Sequence, residues 1–372
     1  MRIAALGDAH LGRSSLPYTR DGVNVRELDF EASFVAAVEL ALAQEPDAVL
    51  WLGDVFDHPR PTYRSFLVVQ RALTRLRDCG VPVVAITGNH DTPRLPGTGS
   101  PYAALAETFG DAVRIVHRMA YERIELPGLV VHAVPQMLTA EATVDALDRA
   151  AAARDLDRTN LLLAHPLVPA VERHYADINE IEVDDRLLRA DLVLLGHYHV
   201  HTQVRSGVWY AGSTDSFSFA DDPGRAKGIV VLDTDDGRCR HVGLSGQRPL
   251  VTLPGIDALG LSPDEVATLV TERVAQVPRG AVARLYLDGV DPEAYRLLDV
   301  DAVREAGAAA LHVKLEPSFV DAAQPVDDLA DLASMPARWA GYVDGQDLAG
   351  FDEERIRRLG HEYLVRAVEE AG

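Results

Sequence analysis

Lysine is almost missing from this chain. Of the 36 basic side chains only Lys227 and Lys314 are lysines, and acidic groups are so numerous that the formal net charge is −21. Such a chain does not grip nucleic acid by bulk electrostatics, because that mode needs a basic face to neutralise phosphates. Contact with phosphate must come instead from a few arginine forks or from bound cations, which are the largest local charges wherever they sit. Cysteine is scarce too. Cys79 and Cys239 lie far apart in the sequence, which excludes a disulfide framework and a zinc–thiolate site. No apolar stretch reaches the roughly 18 residues that a membrane span requires. The strand-like residues 2–6 begin at once, leaving no room for a cleaved signal segment. A cytoplasmic protein with no membrane association is the expectation.

What is present is an ordinary globular composition, 47% hydrophobic and 25% charged, over 372 residues, too long for one core and enough for two domains and a tail. The first part alternates strand and helix. Strands are predicted at residues 2–6, 48–52 and 81–86, with helices at 25–44 and 61–78 whose apolar residues recur at helical spacing. This is the rhythm of a mostly parallel sheet. Strands then crowd together at 113–116, 121–126, 129–134, 161–164, 192–195, 208–210 and 229–232, interrupted by one long helix at 139–153. Two sheets packed face to face with helices outside, an α/β four-layer αββα sandwich, accommodate so many strands with so few helices. The sandwich is expected to occupy residues 1–245.

A small α/β module follows over residues 246–316. It has a helix opened by Ser262-Pro263-Asp264-Glu265, with Ser as cap and Pro in the first turn, and a helix over 292–305. Residues 317–372 form a tail: an acidic linker containing Met335, Trp339 and Tyr342, then a helix with Ile356, Leu359, Tyr363 and Ala367 on one face.

Chemistry is concentrated in five short motifs taken in order: Asp8-x-His10, Gly53-Asp54, Gly88-Asn89-His90-Asp91, His165, and Gly196-His197-x-His199. Each follows a predicted strand, so each falls where a strand gives way to a loop, the usual ligand position of an open α/β sheet. One such motif alone is weak evidence. Hard oxygen and imidazole donors gathered at one sheet edge describe a centre for two divalent ions. Two ions about 3.5–4 Å apart need a bridging carboxylate, and Asp54 is the candidate. Asp8, His10, Asp54 and His199 would hold the first ion, and Asp54, Asn89, His165 and His197 the second. Water polarised between the ions, largely hydroxide near neutral pH, would be the nucleophile for phosphoester hydrolysis. His90, facing away from its neighbour Asn89, would protonate the leaving oxygen, with Asp91 holding its tautomer.

This ordered series resembles the calcineurin-like metallophosphoesterases, and within them the SbcD-type nuclease subunits that act on DNA ends with an SbcC-type coiled-coil ATPase. The likeness is carried by Gly53-Asp54-Val55-Phe56-Asp57 with Pro59-Arg60-Pro61, by Gly88-Asn89-His90-Asp91, and by Tyr210-Ala211-Gly212-Ser213 leading to Ser218-Phe219 and Lys227-Gly228. It covers about residues 1–235. It implies the same seven ligands, His90 as the phosphate-facing histidine, and manganese as the activating ion. It also implies a DNA-holding cap over 246–316, a terminal helix that docks on the ATPase, DNA as partner, and a homodimer. Two stretches depart from the family pattern: Asp215-Ser216 stands where Glu-Arg is frequent, and Phe219-Ala220-Asp221 where Phe-Gly-Glu or Phe-Asn-Glu is frequent, with Asp reaching less far than Glu.

The leading expectation is therefore a manganese-dependent DNA exonuclease or endonuclease in DNA repair, with Arg13, Arg60 and Arg64 beside the first two ligand loops as phosphate contacts. A nucleotide or small phosphodiester is the alternative substrate, which the acidic balance favours. A non-catalytic, metal-bound scaffold docking through its terminal helix is the alternative of another class.

Overall fold

The computed structural model describes residues 1–95, 98–169, 171, 180–219, 221, 225–320, 339, 343 and 353–371. The chain forms two compact units. One comprises Met1–Thr252 with Pro278–Val282 and Ala310–His312; the other comprises the described residues of Leu253–Val277, Ala283–Ala309 and Val313–Gly372.

The first unit begins with β1 (Arg2–Leu6), a short hairpin of β2 (Thr19–Arg20) and β3 (Val23–Asn24), and α1 (Val25–Leu42). It continues with β4 (Ala48–Leu52), α2 (Tyr63–Asp78), β5 (Val83–Ile86), α3 (Pro101–Phe109) and β6 (Val113–Val116). Then come β7 (Glu122–Leu126), β8 (Leu129–Ala133), α4 (Ala140–Ala152), β9 (Thr159–Ala164), β10 (Leu192–Leu195), β11 (Thr202–Arg205), β12 (Val208–Tyr210), β13 (Gly228–Asp233), β14 (Cys239–Gly243) and β15 (Leu250–Thr252). Two six-stranded sheets result, ordered β14-β13-β1-β4-β5-β6 and β11-β12-β10-β9-β8-β7. β1, β4, β5 and β6 run parallel in the first sheet, and β8, β9, β10 and β12 in the second.

Side chains alternate across each strand, and the alternation builds three apolar layers. Ile3, Ala5, Leu50, Leu52, Val84 and Ile86 of the first sheet meet Leu129, Val131, Leu161, Leu163 and Leu194 of the second. The opposite face of the first sheet, with Ala4, Leu6, Val49, Trp51 and Ala85, is covered by Phe34 and Val38 of α1, Leu73 and Leu76 of α2, and Leu105 of α3. On the far side Leu162, Val193 and Leu195 pack under Ala146, Leu147 and Ala150 of α4. Helices, sheet, sheet and helix form the four layers. β4, sandwiched between two of these apolar layers, is buried at all five positions.

Besides the short β2–β3 hairpin, α3, β11 and β14 of this unit depart from the expectation. α3 went unseen because it is only nine residues long; its Ser100 cap and N-terminal proline are the signals it carries. The partly exposed β11 and β14 lack the apolar run that marks a buried strand.

In the second unit β16 (Ile256–Asp257) lies parallel to β17 (Val282–Val290), and β18 (His312–Phe319) also pairs with β17. Val266, Val270 and Val274 form the buried side of α5 (Pro263–Val274), which opens on a reciprocal capping box between Ser262 and Glu265. The helix expected over 292–305 is two helices, α6 (Pro292–Arg296) and α7 (Val300–Ala306). Asp299 causes the break: its carboxylate accepts from the N–H groups of Asp301 and Ala302, and a residue that caps a new helix cannot continue the old one. A terminal helix spans Glu353–Ala371. Met335, Tyr342 and most of the acidic linker lie outside the described residues. Among the described residues no helix is long and apolar enough to cross a membrane.

Leu50 tests the inter-sheet layer, because it has no exposed surface and joins the two sheets. Leu50→Ala should cost about 2–5 kcal/mol, read as a lower denaturant midpoint with an unchanged slope.

Candidate metal centre

All five motifs sit past the C-terminal ends of parallel strands: Asp8 and His10 after β1, Asp54 after β4, Asn89 and His90 after β5, His165 after β9, His197 and His199 after β10. The edges of both sheets therefore converge on one place. The loops after β1 and β4 extend their strands' pairing, with Asp8 N–H donating to Gly53 O at 3.0 Å and His10 N–H to Asp54 O at 2.9 Å. The sheets are tied together by His165, whose Nδ1 donates across to the Leu52 carbonyl at 2.6 Å.

Backbone geometry here is unusual. Asp8, His10, Asp54 and His197 all have φ between 47° and 87°, the left-handed region that costs side-chain-bearing residues about 1–3 kcal/mol each and persists only where the surroundings enforce it. The motif glycines have a steric reason. A Cβ on Gly88 would stand 2.2 Å from Asp54 Oδ1, and one on Gly196 would stand 2.2 Å from the Leu52 carbonyl and 2.6 Å from His165 Nδ1.

Carboxylates and carbonyls hold the imidazoles in defined tautomers. His10 Nδ1 donates to Asp57 Oδ1 at 3.0 Å and His199 Nδ1 to Asp221 Oδ1 at 2.8 Å. That leaves the two Nε2 lone pairs facing each other at 3.2 Å. Donor atoms of Asp8, His10 and His199 lie within 4.8 Å of one another, as do those of Asp54, His165 and His197. Asp54 reaches both groups, its Oδ2 lying 3.1 Å from His165 Nε2 and 3.8 Å from His10 Nε2. Its Oδ1 accepts from the His90 N–H at 2.8 Å. Asn89 Oδ1 is 3.1 Å from His197 Nδ1.

The electrostatics describe a place short of positive charge. Asp8 and Asp54 are at most 1% exposed. Burial opposes a charge on His165, yet the carboxylates of Asp54 and Asp8 outweigh it and lift the imidazole to about 9. Burial would likewise raise Asp54, but His165 and His10 hold it well below the usual carboxylate range. His10 is lowered by burial and so offers its lone pair. Buried Asp8 Oδ2 has no hydrogen-bond partner, an arrangement that costs about 1–3 kcal/mol or more unless something binds it. Divalent cations fit these donors, hard carboxylate oxygens, one amide and imidazoles, and a cation would take the place of the proton that the carboxylates otherwise hold on His165.

His90 is one-third exposed, its ring 4.6 Å from that of His10. Asp91, expected to hold its tautomer, does not do so in the structure. Asp91 is fully buried and turned the other way, accepting from Val55 N–H at 3.0 Å, Gly88 N–H at 2.7 Å and Tyr102 Oη at 2.6 Å. Burial and nearby Asp54 push its carboxyl up to about 8 despite those donors. Asp91 is thus the knot between the loops after β4 and β5. The group beside His90 is Asp57, whose carbonyl accepts from Nδ1 at 3.2 Å and whose carboxylate lies 3.8 Å away. Asp57 lies three residues after Asp54 in the same Gly53–Asp57 stretch, and that proximity is the signal the sequence carries for it.

Asp221 reaches His199, and that imidazole keeps it well below the usual carboxylate range in spite of burial. Lys227 Nζ donates to the His199 carbonyl at 2.7 Å. Of the three arginines expected at phosphate, Arg13 lies beside the site, 3.3 Å from Asp57. Arg60 is exposed. The fork of Arg64 is filled by Glu31 at 2.6–3.0 Å, so its charge is already matched.

A model of the calcineurin-like phosphoesterases matches residues 1–201. The chain belongs to that family. Within this family of two-metal phosphoesterases the chain is 29% identical over 368 residues to the DNA double-strand break repair protein Mre11 of Haloferax volcanii, covering 96% of this chain and 74% of that protein. It is 25% identical to the protein of the same name from Methanosarcina mazei, over 86% of this chain. The chain spans about half the length of the Methanosarcina relatives it matches, 50% for M. mazei and 45% for M. acetivorans. A solved dimetal phosphatase from Danio rerio superposes with a TM-score of 0.39 at 12% identity, over 62% of this chain and 91% of that one.

Asp91→Ala strands three buried donors and should cost about 3–5 kcal/mol of stability, read by chemical denaturation. An unchanged midpoint with lost turnover would return Asp91 to the role of orienting His90.

Proposed function

We propose that this chain is a two-metal phosphodiesterase acting as a DNA nuclease in strand-break repair. The observation that carries the reading is Asp54, a buried carboxylate within reach of both donor groups and so suited to bridge two cations. Asp8, His10, Asp54 and His199 would hold one ion, and Asp54, Asn89, His165 and His197 the other. When bound, such ions supply Lewis acidity at a phosphoryl oxygen and lower the pKa of attacking water. The motif glycines and the left-handed turns hold the donors in place before any ion arrives. Asp57 and Asp221 keep the Nδ1 protons of His10 and His199 turned away from the centre. His90 is one-third exposed, with Nδ1 tied to the Asp57 carbonyl, which leaves Nε2 as the nitrogen to act on a substrate. In its doubly protonated form it donates to the leaving oxygen, with the Asp57 carboxylate supporting the charge. Arg13 stands ready for a phosphate at the rim.

DNA as substrate is supported by the likeness to the Mre11 proteins, the second α/β unit and the Gly212-Ser213 segment beside His199. Manganese, a coiled-coil ATPase partner of the SbcC type, a homodimer and a cytoplasmic location belong to the same reading. So do a division into a nuclease domain over 1–245, a DNA-holding cap over 246–316 and a docking tail over 317–372. Tyr63 and Leu67, one turn apart on α2 and 91% and 43% exposed, offer an apolar face for self-association. The net charge of −21 favours the second reading, hydrolysis of a nucleotide or other small phosphodiester at the same site.

Incubation with manganese and linear duplex DNA, hairpin DNA, bis-p-nitrophenyl phosphate and cyclic nucleotides separates these readings. Cleavage of DNA that stops with a chelator is the expected result. Hydrolysis of small diesters with DNA untouched would overturn the nuclease assignment, and ion binding without any hydrolysis would point to a scaffold. His90→Ala should keep both ions and lose about 10²–10⁴-fold in turnover; full activity would remove His90 from the chemistry.

A further inference from the structure

Phe217 has no polar group to offer, yet it stands against both imidazoles of one donor group. Its ring centroid lies 4.8 Å from that of His10 and 5.1 Å from that of His199, edge-on at 69° and 65°. Phe30 supports it from behind at 4.8 Å, and the Arg13 guanidinium lies 5.5 Å from its centroid. Each imidazole is already pinned at Nδ1 by a carboxylate, Asp57 or Asp221. What remains free is rotation of the ring about that bond, and a flat aromatic wall shared by both rings removes it.

The backbone carrying Phe217 is fixed from two sides. Asp221 Oδ2 accepts from the N–H groups of Phe217 and Ser218 at 2.8 and 2.7 Å, so the carboxylate that holds His199 also holds the wall. On the other side Arg26 Nη2 donates to the Ser216 carbonyl at 2.7 Å and lies 3.6 Å from Asp215 Oδ1. Asp215 accepts from Ser33 Oγ at 2.6 Å and from Ser216 N–H at 2.7 Å.

Arg26 is only 2% exposed, a costly placement for a guanidinium unless it is fully engaged. It is engaged. Asp29 takes its Nη1 at 2.8 Å, and its Cζ stands 4.5 Å over the Phe30 ring. Asp29 is itself gripped by Arg248 at 2.6 and 2.9 Å. This network ends on the loop segment that carries Phe217.

We propose that Arg26 and Phe217 are positioning residues for the cation of the Asp8, His10 and His199 group. Arg26 fixes the backbone of residues 215–217, and Phe217 sets the planes of both imidazoles so that their Nε2 lone pairs converge. The inference rests on the two-ion reading above and assigns these two side chains to one ion and not the other.

Titration calorimetry of the full chain with manganese tests it, with His199→Ala and His197→Ala serving to assign the two binding events. Wild-type protein should bind two ions. Phe217→Leu and Arg26→Lys should weaken the event lost in His199→Ala by about 10–100-fold, the usual effect of removing a group that orients a ligand, and leave the event lost in His197→Ala near its wild-type affinity. Phe217→Tyr, which keeps the ring, should retain both. A merely structural role would weaken both ions together or neither, and either result in Phe217→Leu overturns the inference. Phe217→Leu and Phe217→Tyr decide the matter should Arg26→Lys not fold. Absence of ion binding by the wild-type chain would overturn the two-ion reading and this inference with it. Two wild-type events unchanged in both variants would overturn this inference alone.

Discussion

Two carboxylates, Asp8 and Asp54, are buried side by side where the edges of two sheets meet, and the rest of the centre is arranged around that fact. A pair of like charges removed from water is tolerated only with positive partners close by. Here the partners are imidazoles, and His165 is driven to about 9 by the carboxylates beside it. Because the acids belong to the loops after β1 and β4, while His165, His197 and His199 follow β9 and β10, the electrostatic requirement also draws the two sheets together at this edge. The apolar layer between the sheets and the polar cluster at its rim are parts of one junction.

The fold was legible where periodicity was strong. Parallel strands, buried on both faces, announced themselves as short aliphatic runs, and each ended in a motif that began with glycine or carried Asp or His. From that order alone the donors had to collect at one edge. Elements that failed to show were those whose existence depends on context: α3 is short, and β11 and β14 are partly polar strands at or beside the sheet ends, with little apolar surface to give them away. The predicted helix across Asp299 divides because a capping carboxylate outcompetes helix continuation, a local choice that an averaged pattern hides.

In the centre itself, residue types were readable and their directions were not. Asp91 follows His90 directly, yet adjacency in sequence says little at a turn; the chain reverses there and delivers the carboxylate to Val55, Gly88 and Tyr102. Asp57 and Asp221 took no part in the reading of the motifs as donors. Their work is to accept the far protons of His10 and His199, which depends on where the loops pass in space. Asp221 is a short acid, and the loop brings it to 2.8 Å from its histidine.

The left-handed turns at Asp8, His10, Asp54 and His197 place their cost in the folded polypeptide and not at the arrival of a guest. A cradle shaped in advance presents its donors in a fixed array, so a cation enters without the chain having to rearrange, and the selection among divalent ions falls to the geometry and the donor types already in place.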